Sequence, residues 1–157
     1  MNNYPQQAEK LRLARICALI ADQDIIDWAY QIIEKEDNPD YSFIELTETK
    51  NQTKELLSKL KKLCEGCDHF EALRDTIALM YHKALVDKDS IEFFTRFLEN
   101  ESIENDYTVP EDLSFIIGAD DERCLADDNI METREEFNSR FIQELKQIKD
   151  KRTNGST

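Results

Sequence analysis

Apolar residues recur along this chain at intervals of three and four, the spacing that puts them on one face of a helix. Leu11, Ala14, Ala18 and Ala21, with Cys17 beside them, predict an amphipathic helix over 9–21. Asp24 is placed to cap a second helix, whose Ile25, Ile26, Ala29, Ile32 and Ile33 share a face until Asp37-Asn38-Pro39-Asp40 stops it. Pro39 disfavours helical geometry at Asn38, and residues 40–49 read either as a short helix through Phe43, Ile44 and Leu46 or as an alternating strand. Thr53 resembles an N-cap for Leu56, Leu57, Leu60 and Leu63, with Gly66 as terminator.

Asp68 can cap a long element carrying Phe70, Leu73, Ile77, Tyr81, Ala84 and Leu85 as its buried stripe. Another helix is predicted from Ser90, with Ile91, Phe94, Phe97 and Leu98 apolar, until the polar run Glu99 to Asp106 ends it. Pro110-Glu111-Asp112 suits a first turn, since proline needs no hydrogen-bond donor there and the acids face the positive end of the helix dipole; a helix through Leu113, Phe115, Ile116 and Ile117 follows. Phe137, Phe141, Leu145 and Ile148 define a closing helix, and 153–157 reads as a frayed tail. The expectation is an all-α fold of about seven helices in antiparallel hairpins, a bundle or a small solenoid-like array, forming one domain over 1–152.

Composition agrees with that pattern. Three glycines and three prolines in 157 residues are too few for a turn-rich β-sandwich. No signal peptide and no run of eighteen apolar residues is found, so a cytoplasmic protein with no membrane partner is expected. Cys17, Cys64, Cys67 and Cys124 are then read as reduced thiols.

Charge changes the picture more. The net charge is −14, and residues 86–128 hold 14 acidic side chains against 3 basic ones. A field of that sign repels phosphate backbones, which argues against direct nucleic-acid binding, and accelerates association with a basic protein. The lysines Lys54, Lys59, Lys61 and Lys62 spread around a leucine-faced helix and read as solvated charge.

The candidate chemistry is sparse. Cys64-Glu65-Gly66-Cys67 has zinc-knuckle spacing with His69 and His82 downstream, but a second cysteine pair is missing, so no metal is expected. His82 lies near an apolar stripe and is read as packed, and Trp28 as core. Neither histidine belongs to a metalloprotease or triad motif, and Gly66, Gly118 and Gly155 are isolated, which leaves no phosphate loop, no cofactor and no catalytic residue to name. Asp120-Asp121-Glu122 and Asp127-Asp128 lack the alternating ligands and central glycine of an EF-hand.

Those acids have two readings, a solvated face or the rim of a binding surface. Glu101, Glu104, Asp106, Glu111 and Asp112 precede the apolar segment Phe115-Ile116-Ile117, and Asp120, Asp121, Glu122, Asp127 and Asp128 follow it. An acidic rim around apolar anchors is the layout for a cationic partner, because rim charges steer while buried anchors supply affinity. Tyr107 and Phe115 are the candidate anchors.

Ile16-Cys17-Ala18-Leu19-Ile20, the run Ile25-Ile26-Asp27-Trp28-Ala29-Tyr30-Gln31-Ile32-Ile33, then Pro39 and Phe43-Ile44-Glu45-Leu46 resemble small helical bacterial proteins encoded beside polymorphic toxins. The chain looks like an immunity protein of a contact-dependent growth-inhibition system, over about a third of its length. The resemblance implies a cytosolic inhibitor, not an enzyme, that binds a cognate toxin domain, often a nuclease. An acidic protein can occupy a nuclease's basic cleft by imitating the charge of its substrate. Two other classes remain open: an acidic helical adaptor or scaffold without a toxin partner, and an enzyme whose site is assembled from scattered carboxylates.

Overall fold

The computed structural model describes residues 3–49 and 52–154. Among them are eight α-helices and one 3-10 turn, and no strand: α1 (Tyr4–Ile16), α2 (Asp22–Lys35), α3 (Tyr41–Glu48), α4 (Thr53–Lys62), α5 (His69–Val86), α6 (Ser90–Glu104), the 3-10 turn Glu111–Ile116, α7 (Ala119–Asp127) and α8 (Arg134–Asn154). The all-α expectation holds, with one helix more than the sequence pattern predicts. The chain partitions into two compact units, Met1–Leu73 and Arg74–Thr157.

In the first unit α1 and α2 run antiparallel. Arg15 meets Asp22 at one end, Trp28 Nε1 donates to Gln7 Oε1 in the middle, and the Tyr4 hydroxyl donates to Glu36 at the other end. Tyr4, Trp28 and Phe43 meet edge to face, and the lone tryptophan, expected in the core, is half-buried against it, because its indole N–H reaches out to Gln7. Ala8, Ile25, Ala29, Leu46, Leu56, Leu60 and Cys64 form the core. Residues 40–49, open between helix and strand, are settled by Asp40, whose carboxylate accepts from the Ser42 N–H at 2.9 Å and caps α3. Asp68 caps α5 through the Glu71 N–H at 3.2 Å.

The first helix ends at Ile16, five residues short of the predicted end. Ala18 adopts a left-handed φ of 56°, its N–H bonds to Arg15 O and that of Leu19 to Ala14 O, which is the Schellman stop. With glycine so scarce, the same stop recurs with non-glycine residues after α6, at Asp106, and after α7, at Asn129. Thr53 is the first residue of α4 and not its cap; its hydroxyl donates instead to Asp22 Oδ2.

In the second unit α6 runs on through the polar residues predicted to end it, because Glu101 and Ser102 turn inward. α6 and α7 are antiparallel, paired at Thr95 with Arg123 and at Glu99 with the start of α7, where Glu99 Oε1 accepts from the N–H groups of Asp120 and Asp121. α7 and α8 are antiparallel as well, through Glu122 with Arg140 and Asp127 with Arg134. Phe137, Phe141, Leu145 and Ile148 are buried as predicted. The helix predicted over Leu113–Ile117 is a 3-10 turn, and Gly118, at a left-handed φ of 73° that an L side chain resists, redirects the chain into α7. His82 is exposed, stacked edge-on beside Tyr81. Of the tail predicted as frayed, Thr153 and Asn154 belong to α8 and 155–157 lie outside the described residues.

Candidate functional site

The 3-10 turn builds one wall of a groove. With three residues per turn, side chains at i and i+3 share an edge. Leu113 and Ile116 take the buried edge, leaving Asp112 with Phe115 on a second and Glu111, Ser114 and Ile117 on a third. Both of these edges line a groove of about 780 Å³. The opposite wall is a stripe of α8 at intervals of four, three and four, formed by Arg140, Glu144, Gln147 and Lys151, beside the buried phenylalanine stripe; Glu122 of α7 closes one end.

The groove is held by charge and by rings. Arg74 grips Asp112 with two hydrogen bonds, 2.8 and 3.0 Å, and this holds the Asp112 carboxyl below the usual carboxylate range. Arg140 bridges Glu132 at 2.6 Å and Glu122 at 2.9 Å, with its guanidinium 5.2 Å above the centre of the Phe137 ring; the Glu132 hydrogen bond, more than any other contact, raises its pKa. Phe115 is half-buried and meets Phe141 edge to face at 6.3 Å.

On the other side of Arg140 lies a smaller hollow of about 370 Å³. Leu125, Ile130 and Met131 form its apolar part, and Glu122, Glu132 and Arg140 its polar side. Arg140 therefore separates a polar groove from an apolar hollow.

The structure sorts the predicted partner-binding residues into groups. Glu111, Asp112, Phe115 and Glu122 meet in the groove. Glu104, Asp106 and Tyr107 are exposed at the C-terminal end of α6, Tyr107 at 58%. Glu101 lies inside, 8% exposed. Asp120 and Asp127 are clamped on Arg123, which is 4% exposed: Asp120 Oδ1 accepts from its Nε and Nη2 at 3.0 and 2.9 Å, and Asp127 Oδ2 from its Nη1 at 2.8 Å. Arg134 also reaches Asp127 and is the main reason that its carboxyl ionises more readily than usual. Asp121 and Asp128 are exposed.

Sequence reasoning passed over Glu144, Gln147 and Lys151, although their spacing along a helix is a legible stripe. It also missed Leu125, Ile130 and Met131, for which the only signal is a cluster of apolar residues among acids.

The first unit carries a polar cluster of a different kind. Buried Glu9 accepts from Arg12 Nε at 2.6 Å, from the Cys67 thiol at 3.6 Å, and pairs with His69 Nδ1 at 3.2 Å. Burial alone raises the carboxyl pKa, but the His69 and Arg12 hydrogen bonds reverse that and bring it to about 2. Burial, with Glu9 nearby, pushes the Cys64 thiol up to about 12 and raises that of Cys67, so neither thiol is activated as a nucleophile. Among the described residues, no group of three or more histidine, cysteine, aspartate or glutamate side chains is arranged to hold a metal ion. No helix among them is long and apolar enough to cross a membrane.

Comparison with protein-family models, with curated proteins and with solved structures returns no match.

Proposed function

We propose that this chain is an immunity protein: a cytoplasmic binding protein, without catalysis or cofactor of its own, that neutralises a cognate basic toxin domain, a nuclease by preference. The observation that carries the reading is the groove between the 3-10 turn and α8, where Glu111, Asp112, Glu122 and Glu144 stand around Phe115 and Ile117 and outnumber Arg140 and Lys151. Carboxylates around apolar side chains favour a protein partner with cationic residues, since the charges steer encounter and the apolar contacts slow release. The exposed Asp121 on α7 and Asp128 just after it extend that potential. Repulsion of phosphate makes the toxin itself, and not its nucleic-acid substrate, the ligand.

Co-expression with the product of the adjacent upstream reading frame tests this. The expected result is a complex that co-purifies at low salt, weakens as salt rises, and has lost the toxin's activity. Absence of a complex at low salt refutes it.

One observation favours an acidic adaptor or scaffold instead. Asp112, Asp120, Glu122 and Asp127 already have arginine partners, so part of the charge serves the fold. A gene neighbourhood without a toxin frame would decide for that alternative.

A further inference from the structure

The link between α7 and α8 holds a large apolar side chain out in solvent at a cost in backbone energy. α7 ends in a Schellman stop, with the Asn129 N–H on Ala126 O and the Ile130 N–H on Leu125 O, both at 2.9 Å. That motif accounts for the left-handed φ of 57° at Asn129 and for the pairing of Leu125 with Ile130, the apolar contact that usually accompanies it. It does not account for Met131. This residue has a second left-handed φ, 71°, and is 97% exposed.

A methionine there costs roughly 1–2 kcal/mol relative to right-handed backbone, and its side chain gains nothing from the fold in return. Nor is the tip loose. Two residues after Met131 a capping box starts α8, in which the Thr133 N–H donates to Glu136 Oε1 at 3.1 Å and the Glu136 N–H to Thr133 Oγ1 at 3.2 Å. Glu132, between them, is pinned by Arg140 at 2.6 Å.

From this geometry we infer that Met131, with Leu125 and Ile130, is a preorganised docking point for a partner segment that carries aliphatic or aromatic side chains flanked by lysine or arginine. The apolar half follows from the hollow of about 370 Å³ that these side chains line. The basic half follows from charge: Glu122 and Glu132 line the hollow against Arg140, and the exposed Asp121 and Asp128 stand four residues before and three after Leu125. A tip fixed before binding loses little entropy on docking, so a single anchor there contributes more affinity than one on a mobile loop. The inference rests on the toxin-binding reading for the identity of the partner, but not for the chemistry of the surface.

The chain has three methionines, of which Met80 is buried, so methyl-labelled methionine gives a direct reporter of Met131. Short synthetic peptides with a leucine pair flanked by lysines should shift the Met131 methyl signal and leave that of Met80 in place. The same leucines flanked by glutamates should leave both unmoved. No shift with the basic peptide, or equal shifts with both, overturns the inference. With the toxin domain as probe, Met131→Gly should weaken binding by about tenfold, the loss of one anchor. Its unfolding midpoint should stay level or rise, because glycine relieves the left-handed strain. A lowered midpoint with unchanged affinity would mean that Met131 serves only the fold. If the basic peptide moves Met131 while the toxin domain fails to bind, the docking surface stands and the toxin reading falls.

Discussion

Replacing Glu9 with glutamine should remove most of the acid sensitivity of the first unit. In the folded chain Glu9 accepts from Arg12 and Cys67 and pairs with His69, and its pKa falls from 4.5 to about 2. A folded pKa below the unfolded one means that the unfolded chain takes up the proton first. The stabilisation is therefore complete above pH 5 and is lost as pH falls through the window from about 5 to about 2. At 1.36 kcal/mol per pKa unit, the full difference corresponds to about 3 kcal/mol.

Urea unfolding followed by tryptophan fluorescence reads this unit alone, since Trp28 is the one tryptophan and lies in it. With an m-value of about 1–3 kcal/mol per molar urea, the wild-type midpoint should drop by roughly 1–3 M more than that of Glu9→Gln between pH 5.5 and pH 2. Asp22, held low chiefly by the Thr53 hydroxyl, and Asp40, held low by the Ser42 N–H, add to the acid limb of both proteins and cancel in the difference. Parallel curves for the two proteins across that window would refute the account of Glu9.

Other predictions concern the second unit. Asp121→Lys should slow toxin association with little change in stability, whereas Asp120→Lys should chiefly destabilise, since it puts a second cation against buried Arg123; stopped-flow association and thermal melts separate the two effects. Phe137→Ala should cost about 3–5 kcal/mol in calorimetric or denaturant unfolding, because the ring is buried, stacks on Phe141 at 5.8 Å and supports Arg140. Arg123→Met should cost about 3 kcal/mol by leaving Asp120 without its cation, and adding Asp120→Asn should restore part of that in a double-mutant cycle.

Much of the fold was legible because α2, α3, α4 and α8 bury uninterrupted aliphatic or aromatic stripes. The closing helix is the clearest case, with Phe137, Phe141, Leu145 and Ile148 all buried at their predicted spacing. α7 was missed for a physical reason: its inward residues are Ala119, Arg123 and Ala126, and an arginine in a buried stripe erases the hydropathy signal. Arg123 stands three residues after Asp120 and four before Asp127, a spacing that carries the clue, but the run reads first as a block of acids. The extension of α6 failed in the same way, since Glu101 and Ser102 occupy inward positions. The early end of α1 had no sequence signal, because alanine seldom takes the left-handed stop. Of the groove, the 3-10 wall was nominated through Glu111, Asp112 and Phe115, while the α8 wall was hidden behind the buried stripe of the same helix.

The acid count of residues 86–128 overstates the field that a partner meets. Glu99 satisfies the N-terminus of α7, Asp112 is spent on Arg74, Asp120 and Asp127 on Arg123, and Glu122 on Arg140. Among the described residues, the exposed carboxylates without an arginine include Glu104, Asp106, Glu111, Asp121 and Asp128. A field from so few charges, screened within about 8 Å at physiological salt, can speed encounter but cannot hold a complex together. In the proposed complex retention then falls to side chains that leave water on binding, and the groove offers Phe115 and Ile117, the α7–α8 tip Met131. Salt should accordingly act on the rate of association, and loss of an anchor on the rate of dissociation. A partner whose dissociation is as salt-sensitive as its association would be held by charge after all, and Phe115, Ile117 and Met131 would then be bystanders to its retention.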